Sequence, residues 1–413
     1  MFTSMIKSVA YNTYRMSPIQ NVLIYNKQTA YEAHLRKGTD LKNGHYNLDK
    51  LQSAHNMHKR YLKKVHQTLI KNGVGQNNIR QISSREEGIN VLKLRSALNI
   101  TKTFRNAPKG QFKPDIVIAV GGDGTFLRAS HLLHPKLLTA HLPIIGINSN
   151  PGFSEGRLCL KGHENVEDTI ERILHSHKLP VLKRQRIKIT MHSDNARNFR
   201  TSDYYQDLPI EATSSMEGSS RLDSQKRKTM DLPIIALNDV FVGERASSMV
   251  SHLDVSYKEE KSENWSEHPP QKNSGVVVCT GTGSTGWSKS VNRICAETLK
   301  TIVEILGAET TEGVDYNEFA AEINASRTVF DSESSRMGIT FREPILNKIS
   351  SGTFGNFQRV NEVRITSKLF HGMVSIDGST YYSLPSGTTV NLSMNDAWAI
   401  NCVSIPGELQ QTY

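Results

Sequence analysis

The stretch Ile116-Val-Ile-Ala-Val-Gly-Gly-Asp-Gly-Thr-Phe-Leu-Arg-Ala-Ser130 decides the fold. Its first five residues are apolar and mostly β-branched, the pattern of a strand buried on both faces. Gly121 and Gly122 break that strand, and from Thr125 to Leu133 apolar residues recur at helical spacing. Strand, glycine turn and helix in this order aim backbone N–H groups and the positive helix end at one spot, which suits a phosphate. Asp123 is the unusual member. A polyphosphate repels a carboxylate unless a metal stands between them or the carboxylate takes a proton from an attacking hydroxyl. The plainer alternative is that Asp123 caps the helix or shapes an Asp-Gly turn.

Two better-known phosphate motifs do not fit. A dinucleotide fingerprint starting at Gly122 and Gly124 needs a third glycine where Leu127 stands. Gly281 to Gly286 has the two-glycine spacing of a P-loop, but Trp287 occupies the lysine position.

Working outward, strand-like Asn21–Tyr25 precedes a polar, His- and Lys-rich region with helical character, clearest from His58 to Lys71. Ile89–Leu92 and Leu142–Ile147 predict further strands, and Asn148–Phe153 a turn at the same sheet edge. Strands alternating with helices describe an open α/β sheet whose ligand lies at the carboxyl ends of the strands. Near Pro180 the character changes. Leu182–Thr190 alternates basic and apolar residues like one half-exposed strand, with Arg184 and Arg186 either on its exposed face or meeting phosphate. Asp194–Asp231 is polar and poor in apolar residues, the composition of a mobile insertion. Strand-like runs return at Ile234–Val242, His252–Tyr257, Gly275–Cys279, Glu362–Thr366, Met373–Ile376 and Thr388–Leu392, interrupted by a helix-rich span, Asn292–Ala325. The fold class expected is α/β plus β: an N-terminal open, Rossmann-like α/β domain and a C-terminal mainly-β domain. Its expected limits are 19–178 and 179–384, with the insertion at about 194–231 and a segment 385–413 that returns to the first domain.

Two polar groups stand out in the second half. Asn238-Asp239 falls in the middle of an apolar run, where unpartnered amide and carboxylate groups are costly to bury. They suit ribose hydroxyls or an amide, or else sit in a bulge that satisfies them internally. Cys279-Thr-Gly-Thr-Gly-Ser-Thr-Gly-Trp-Ser-Lys-Ser290 runs from a strand into a turn dense in glycine and hydroxyls, with a helix starting at Ser288. Such a turn can wrap a polar ligand, with Trp287 as a flat apolar wall. A flexible Ser/Gly linker is the alternative, weakened by the strand before it.

The 413 residues suit two domains, each able to bury a full core. A 37% hydrophobic and 22% charged composition is that of an ordinary globular protein. No run approaches the roughly eighteen apolar residues of a membrane helix. The net charge of +10 suits polyanionic substrates or solubility, and the basic residues are scattered without a nucleic-acid-binding signature. Cys159, Cys279, Cys295 and Cys402 form no Cys-x-x-Cys pair, which predicts reduced thiols and no zinc site. Residues 1–18 carry Lys7 and Arg15, hydroxyl and apolar side chains, and no acidic residue precedes Glu32. That is the composition of a mitochondrial presequence, or of an unstructured leader.

Together and in this order, these elements resemble the NAD kinase family, through Gly121–Thr125, Asn238-Asp239 and Thr282–Thr285, with Phe341–Ile345 and Ile376-Asp377-Gly378 as later elements. Ser154–Leu160, Arg184–Ile187 and Cys279–Ser284 resemble the mitochondrial branch of the animal members. The glycine turn alone also occurs in diacylglycerol and sphingosine kinases; the second and third motifs make the choice. The resemblance implies transfer of a phosphoryl group from ATP to the 2′-hydroxyl of the adenosine ribose of NAD, giving NADP. It implies Asp123 as general base, Gly121, Gly122, Gly124 and Thr125 on the donor phosphates, and Mg²⁺ bound through those phosphates rather than by protein ligands. Asn148, Phe153, Asn238, Asp239, Thr282, Ser284, Thr285, Trp287, Ser290 and Asp377 would hold NAD. A homodimer in the mitochondrial matrix, with neither a nucleic-acid nor a membrane partner, completes the expectation. Ser274, Gly286 and Trp287 depart from the family's usual Asp, Ala and Tyr, which alters the acceptor pocket rather than the reaction. A lipid kinase sharing the glycine turn, or a non-catalytic nucleotide sensor, is the alternative.

Overall fold

The apolar run that opens the key stretch forms a strand whose six residues, Ile116–Gly121, are all buried. It lies at the centre of a parallel arrangement, because β-branched side chains on both faces need cover on both faces. The computed structural model describes residues 12–15, 18–36, 47–83, 112–133, 142–152, 154–160, 166–193, 201–203, 206–208, 228–259, 264–267, 270–307, 313–345 and 357–404. The expected strand at 89–92 and Phe153 lie outside them. So does most of the expected leader. The chain divides into two compact units, 1–183 with 400–412, and 184–399.

In the first unit, β1 (Asn12–Arg15), β2 (Val22–Asn26), β3 (Ile79–Ser83), β4 (Ile116–Gly121), β5 (Ile144–Asn148) and β6 (Lys178–Arg184) join a strand from the end of the chain, Ile400–Val403. The sheet order is β1-β6-(400–403)-β5-β4-β2-β3. β2, β3, β4 and β5 run parallel, so the carboxyl ends of β2, β4 and β5 share one edge. The helices are α1 (Ala30–Arg36), α2 (Leu48–Lys71), α3 (Asp123–His131) and α4 (Val166–His175). α2 is capped by Asn47, whose side chain accepts the Lys50 N–H, and it buries His58, Leu62, Val65, Thr68 and Leu69 as one stripe. Gly73, at φ +91°, ends it. Leu62, Val65 and Leu69 pack with Ile116, Ile118, Ile145, Ile170 and Ile173 in the unit's core.

The second unit is a mainly antiparallel sheet. Its strands are β7 (Ile187–Ser193), β8 (Thr201–Asp203), β9 (Gln206–Leu208), β10 (Lys228–Asp231), β11 (Asp239–Glu244), β12 (Ser251–Glu259), β13 (Ser266–Glu267), β14 (Gln271–Asn273), β15 (Val276–Cys279), β16 (Met337–Phe341), β17 (Gln358–Ser367), β18 (Gly372–Ile376), β19 (Thr380–Ser383) and β20 (Thr389–Met394). The order is β10-β7-β20-β17-β16-β15-β11-β18-β19-β8-β9, with β12 paired to β17. A short helix, α5 (Trp287–Val291), follows the glycine-rich turn, and two further helices, α6 (Ala296–Ile305) and α7 (Tyr316–Thr328), form the expected helical interruption. The α/β plus mainly-β fold class is as the sequence patterns indicate.

Three local expectations are corrected. The run 182–190 is not one strand: it breaks at Gln185-Arg186 between β6 and β7. Arg184 and Arg186 are 4% and 0% exposed, not on an exposed face. They are held by acceptors that local periodicity does not reveal: Arg184 Nη1 donates to Thr282 Oγ1 and Arg186 Nε to the Trp398 carbonyl. Asn238-Asp239 stands at the start of a strand, not in its middle, because Ile187 and Ala236 form an isolated bridge ahead of it. The polar segment 194–231 is not without structure. β8 pairs with β19 and β10 with β7, extending the sheet at both edges.

Candidate functional site

In the first unit, β4 delivers Gly121 and Gly122 to the sheet edge and α3 starts at Asp123. Thr125 and Phe126 N–H donate to the Gly122 carbonyl, closing the first turn. Glycine at 121 is a packing requirement, since a Cβ there would lie 2.2 Å from Thr125 Oγ1. At Gly124 the reason differs. A Cβ would meet nothing within 4 Å, and the residue is exposed at the helix's positive end. That open, N–H-lined turn is the arrangement an anion uses.

Asp123 is oriented by backbone. Its Oδ2 accepts the Arg157 N–H at 3.0 Å and its Oδ1 the Leu158 N–H at 2.8 Å. The loop Ser154–Leu160 therefore positions the carboxylate, a role its sequence does not disclose. Asn148 organises the same loop. Its Nδ2 donates to the Ser154 carbonyl and its Oδ1 accepts the Asn150 N–H, so both ends of the amide are engaged. Cys159 is buried, and burial beside Asp123 pushes its thiol far above the usual range.

In the second unit, Asn238, Asp239, the 280–285 turn and Asp377 come together. Asp377, in a left-handed backbone conformation at φ +48°, accepts N–H bonds from Leu237, Asn238 and Asp239 at 2.9, 2.7 and 3.1 Å. The internal satisfaction expected of Asn238-Asp239 as an alternative is thus supplied to their backbone, while Asn238 Oδ1 has no hydrogen-bond partner among the described residues. Asp239 is 7% exposed, and burial together with the Asp377 charge raises its carboxyl to about 7.

The glycine- and hydroxyl-rich turn is rigid rather than a linker. Thr280 N–H donates to the Asn238 carbonyl and Thr280 Oγ1 to the Leu237 carbonyl. Ser284 Oγ donates to the Gly281 carbonyl and Thr285 Oγ1 to the Thr282 carbonyl. These hydroxyls hold the turn. A Cβ on Gly283 would fall 2.0 Å from the Asn238 carbonyl oxygen, and one on Gly281 1.9 Å from that of Asp331. Ser290 is exposed on α5. Trp287, 40% exposed, tilts against Phe241 and carries the Arg342 guanidinium 5.4 Å above its ring. It forms a flat wall as expected.

The fold and these two constellations define a class: an α/β unit with a glycine turn at its sheet edge, followed by a mainly-β unit with a polar, aromatic-walled turn. Comparison with known proteins is consistent with that class. The profile described as "ATP-NAD kinase N-terminal domain" matches residues 43–179. A rat protein named "NAD kinase 2, mitochondrial" is 29% identical over 332 residues, covering 76% of this chain and 71% of its own. The protein of the same name from Xenopus tropicalis is 27% identical over 400 residues, covering 91% and 85%. The crystal structure of yeast NADH kinase complexed with NADH shares the fold, with a TM-score of 0.52 at 14% identity over 94% of this chain and 84% of that one. Residues 43–179 thus match the NAD kinase N-terminal domain, and over most of its length the chain is similar to proteins named NAD kinase 2.

Proposed function

We infer that the protein is an ATP-dependent NAD kinase, transferring a phosphoryl group from ATP to the adenosine-ribose 2′-hydroxyl of NAD. The observation that carries this reading is the kinship over three quarters of the chain with proteins named NAD kinase 2. Neither alternative finds support: the second unit presents an amide and a hydroxyl-bearing turn, unlike a lipid channel.

Phosphoryl transfer asks the protein mainly to position its reactants and neutralise charge. Gly121, Gly122, Gly124 and Thr125 are assigned to the donor phosphates, on the open helix start at Gly124. Mg²⁺ would be carried by the ATP phosphates and neutralise their charge, and oxygen donors of that kind suit it. Asp123 is assigned the proton of the attacking hydroxyl, and its two backbone N–H bonds orient it for that task. Asn238, Asp239, Asp377, Trp287 and the 282–285 turn are assigned to NAD, with Asn238 Oδ1 available to a ribose hydroxyl or the carboxamide. Ser284 and Asn148 act there through the backbone they brace. Relatives named mitochondrial, together with the basic leader, support a mitochondrial location; the matrix, the homodimer and the contributions of Phe153 and Ser290 belong to the same proposal.

NADP formation from NAD and ATP-Mg²⁺ tests the reading. The parent is expected to produce NADP, and Asp123→Asn to lower kcat by about 10²–10⁴-fold. Because an asparagine amide would face the Arg157 or Leu158 N–H, circular dichroism and the thermal midpoint of the variant are measured alongside. A folded Asp123→Asn with parental kcat would remove Asp123 from the chemistry.

A further inference from the structure

The glycine turn has no lysine of its own in sequence, but the fold brings one to it. Lys27 directly follows β2, and its backbone N–H donates to the Val120 carbonyl at 3.2 Å, beside Gly121-Gly122 on the neighbouring strand. Its side chain is half-buried, and among the described residues no carboxylate pairs with its ammonium group. A partly desolvated ammonium without an anion is unfavourable, and burial here lowers its pKa from the ordinary value.

The surroundings are built to the same end. His58, on α2, is wholly buried, with Nδ1 2.9 Å from Ser149 Oγ. Ser149 in turn donates its backbone N–H to the Gly121 carbonyl. His58 feels the Lys27 charge. Burial, followed by the charges of Lys27 and Lys59, holds its imidazole down at about 3, so it is neutral at working pH and adds no second cation. Among the described residues, His58 Nε2, Asn26 Oδ1 and Asn150 Oδ1 are buried polar atoms with no hydrogen-bond partner. Buried polar atoms are rarely left so unless something polar is to be bound.

We propose that Lys27, at the end of β2, is the cation of the donor-phosphate site, binding the polyphosphate of ATP beside the Gly121–Thr125 turn, with His58 and Ser149 as positioning residues. This rests on the NAD kinase reading for the identity of the donor, though the anion-binding chemistry stands by itself. Lysine can serve as a point charge from any neighbouring element. In a P-loop it follows the glycine turn in sequence; here it comes from the adjacent strand.

The test uses the full chain, Lys27→Met, Lys27→Gln and Lys27→Arg, with inorganic tripolyphosphate, ATP-Mg²⁺ and adenosine as probes in calorimetric titrations. Loss of one charge-assisted phosphate contact predicts about tenfold or more weaker binding of tripolyphosphate and ATP by the two neutral variants. Adenosine binding is expected unchanged, and Lys27→Arg to restore most of the affinity. The parent's tripolyphosphate affinity should fall with salt more steeply than that of the neutral variants. Parental tripolyphosphate affinity in a folded Lys27→Met or Lys27→Gln would overturn the assignment, as would equal losses for tripolyphosphate and adenosine, which mark a structural role. NADP formation by the parent is measured in the same preparations. NADP without lysine-dependent tripolyphosphate binding removes the lysine and keeps the kinase; the reverse result removes the kinase and keeps the lysine.

Discussion

Asp239 is 7% exposed and shares its surroundings with Asp377, and these two facts set its behaviour with pH. A carboxyl raised to about 7 holds its proton in the folded unit where the unfolded chain has already lost it. The folded state then binds more protons between about pH 4 and pH 7. The stabilisation is fully present below the unfolded pKa and is lost as pH rises through 7. Over that window the slope from this group is at most about 1.4 kcal/mol per pH unit. Urea denaturation of the second unit's signal from pH 4 to 8 should show stability falling, and Asp239→Asn should flatten that fall. An unchanged slope in the variant would show that other groups carry it. His58 works in the opposite sense. Held at about 3, it weakens the fold as pH drops from its usual range, because the unfolded chain then binds the extra proton. Neither shift is visible in composition, since each arises from burial by residues far away in sequence.

Two glycines in the key turns separate packing from function at the level of the element. Gly124 lies in the first turn of α3 with open space where a Cβ would be. Gly124→Ala is expected to leave the fold intact or stabilise it by up to about 1 kcal/mol, because alanine favours helix. Its KM for ATP should rise all the same, since the methyl group occupies the space assigned to phosphate. Thermal midpoints and ATP kinetics measured side by side check the pair of outcomes. Gly283→Ala should do the reverse, forcing the turn away from the Asn238 carbonyl, which lies 2.0 Å from the added carbon. Backbone on backbone has little room to yield, so both the thermal midpoint and NAD affinity by calorimetry should fall. The two glycine-rich turns were legible as elements because each follows an apolar strand. Their inner bonding was not. Hydroxyls that looked free to grip a ligand, at Thr280, Ser284 and Thr285, donate to carbonyls of their own turn or of Leu237.

For the whole molecule, the charge of +10 is spread along the chain, suiting attraction of phosphorylated substrates over long range. No helix among the described residues is long and apolar enough to cross a membrane. The start of the chain carries two assignments at once. Residues 12–15, within the expected leader, form β1 and pair with β6 at the sheet's edge. A reporter carrying residues 1–18 is expected to enter mitochondria, and one lacking them to stay out; fluorescence microscopy decides. Of two truncated proteins, one starting at residue 12 and one at 19, the second should melt lower, having lost an edge strand. Equal midpoints would make β1 dispensable. Light scattering on the purified chain tests the proposed homodimer.

The sequence by itself determined the strand–turn–helix of residues 116–130, the α/β plus β division and the order of three motifs, because those depend on local periodicity and on glycine. It also marked Asp123, Asn238 and Trp287 as unusual for their places. What only the tertiary structure decided are the pairings between residues distant in the chain. The loop at 157–158 orients Asp123, Asp377 braces 237–239, Thr282 receives the buried Arg184, and Lys27 comes beside the glycine turn from another strand. The physical reason is that hydrogen bonding and desolvation act through space, whereas a sequence pattern reports only the neighbours that a residue keeps along the chain.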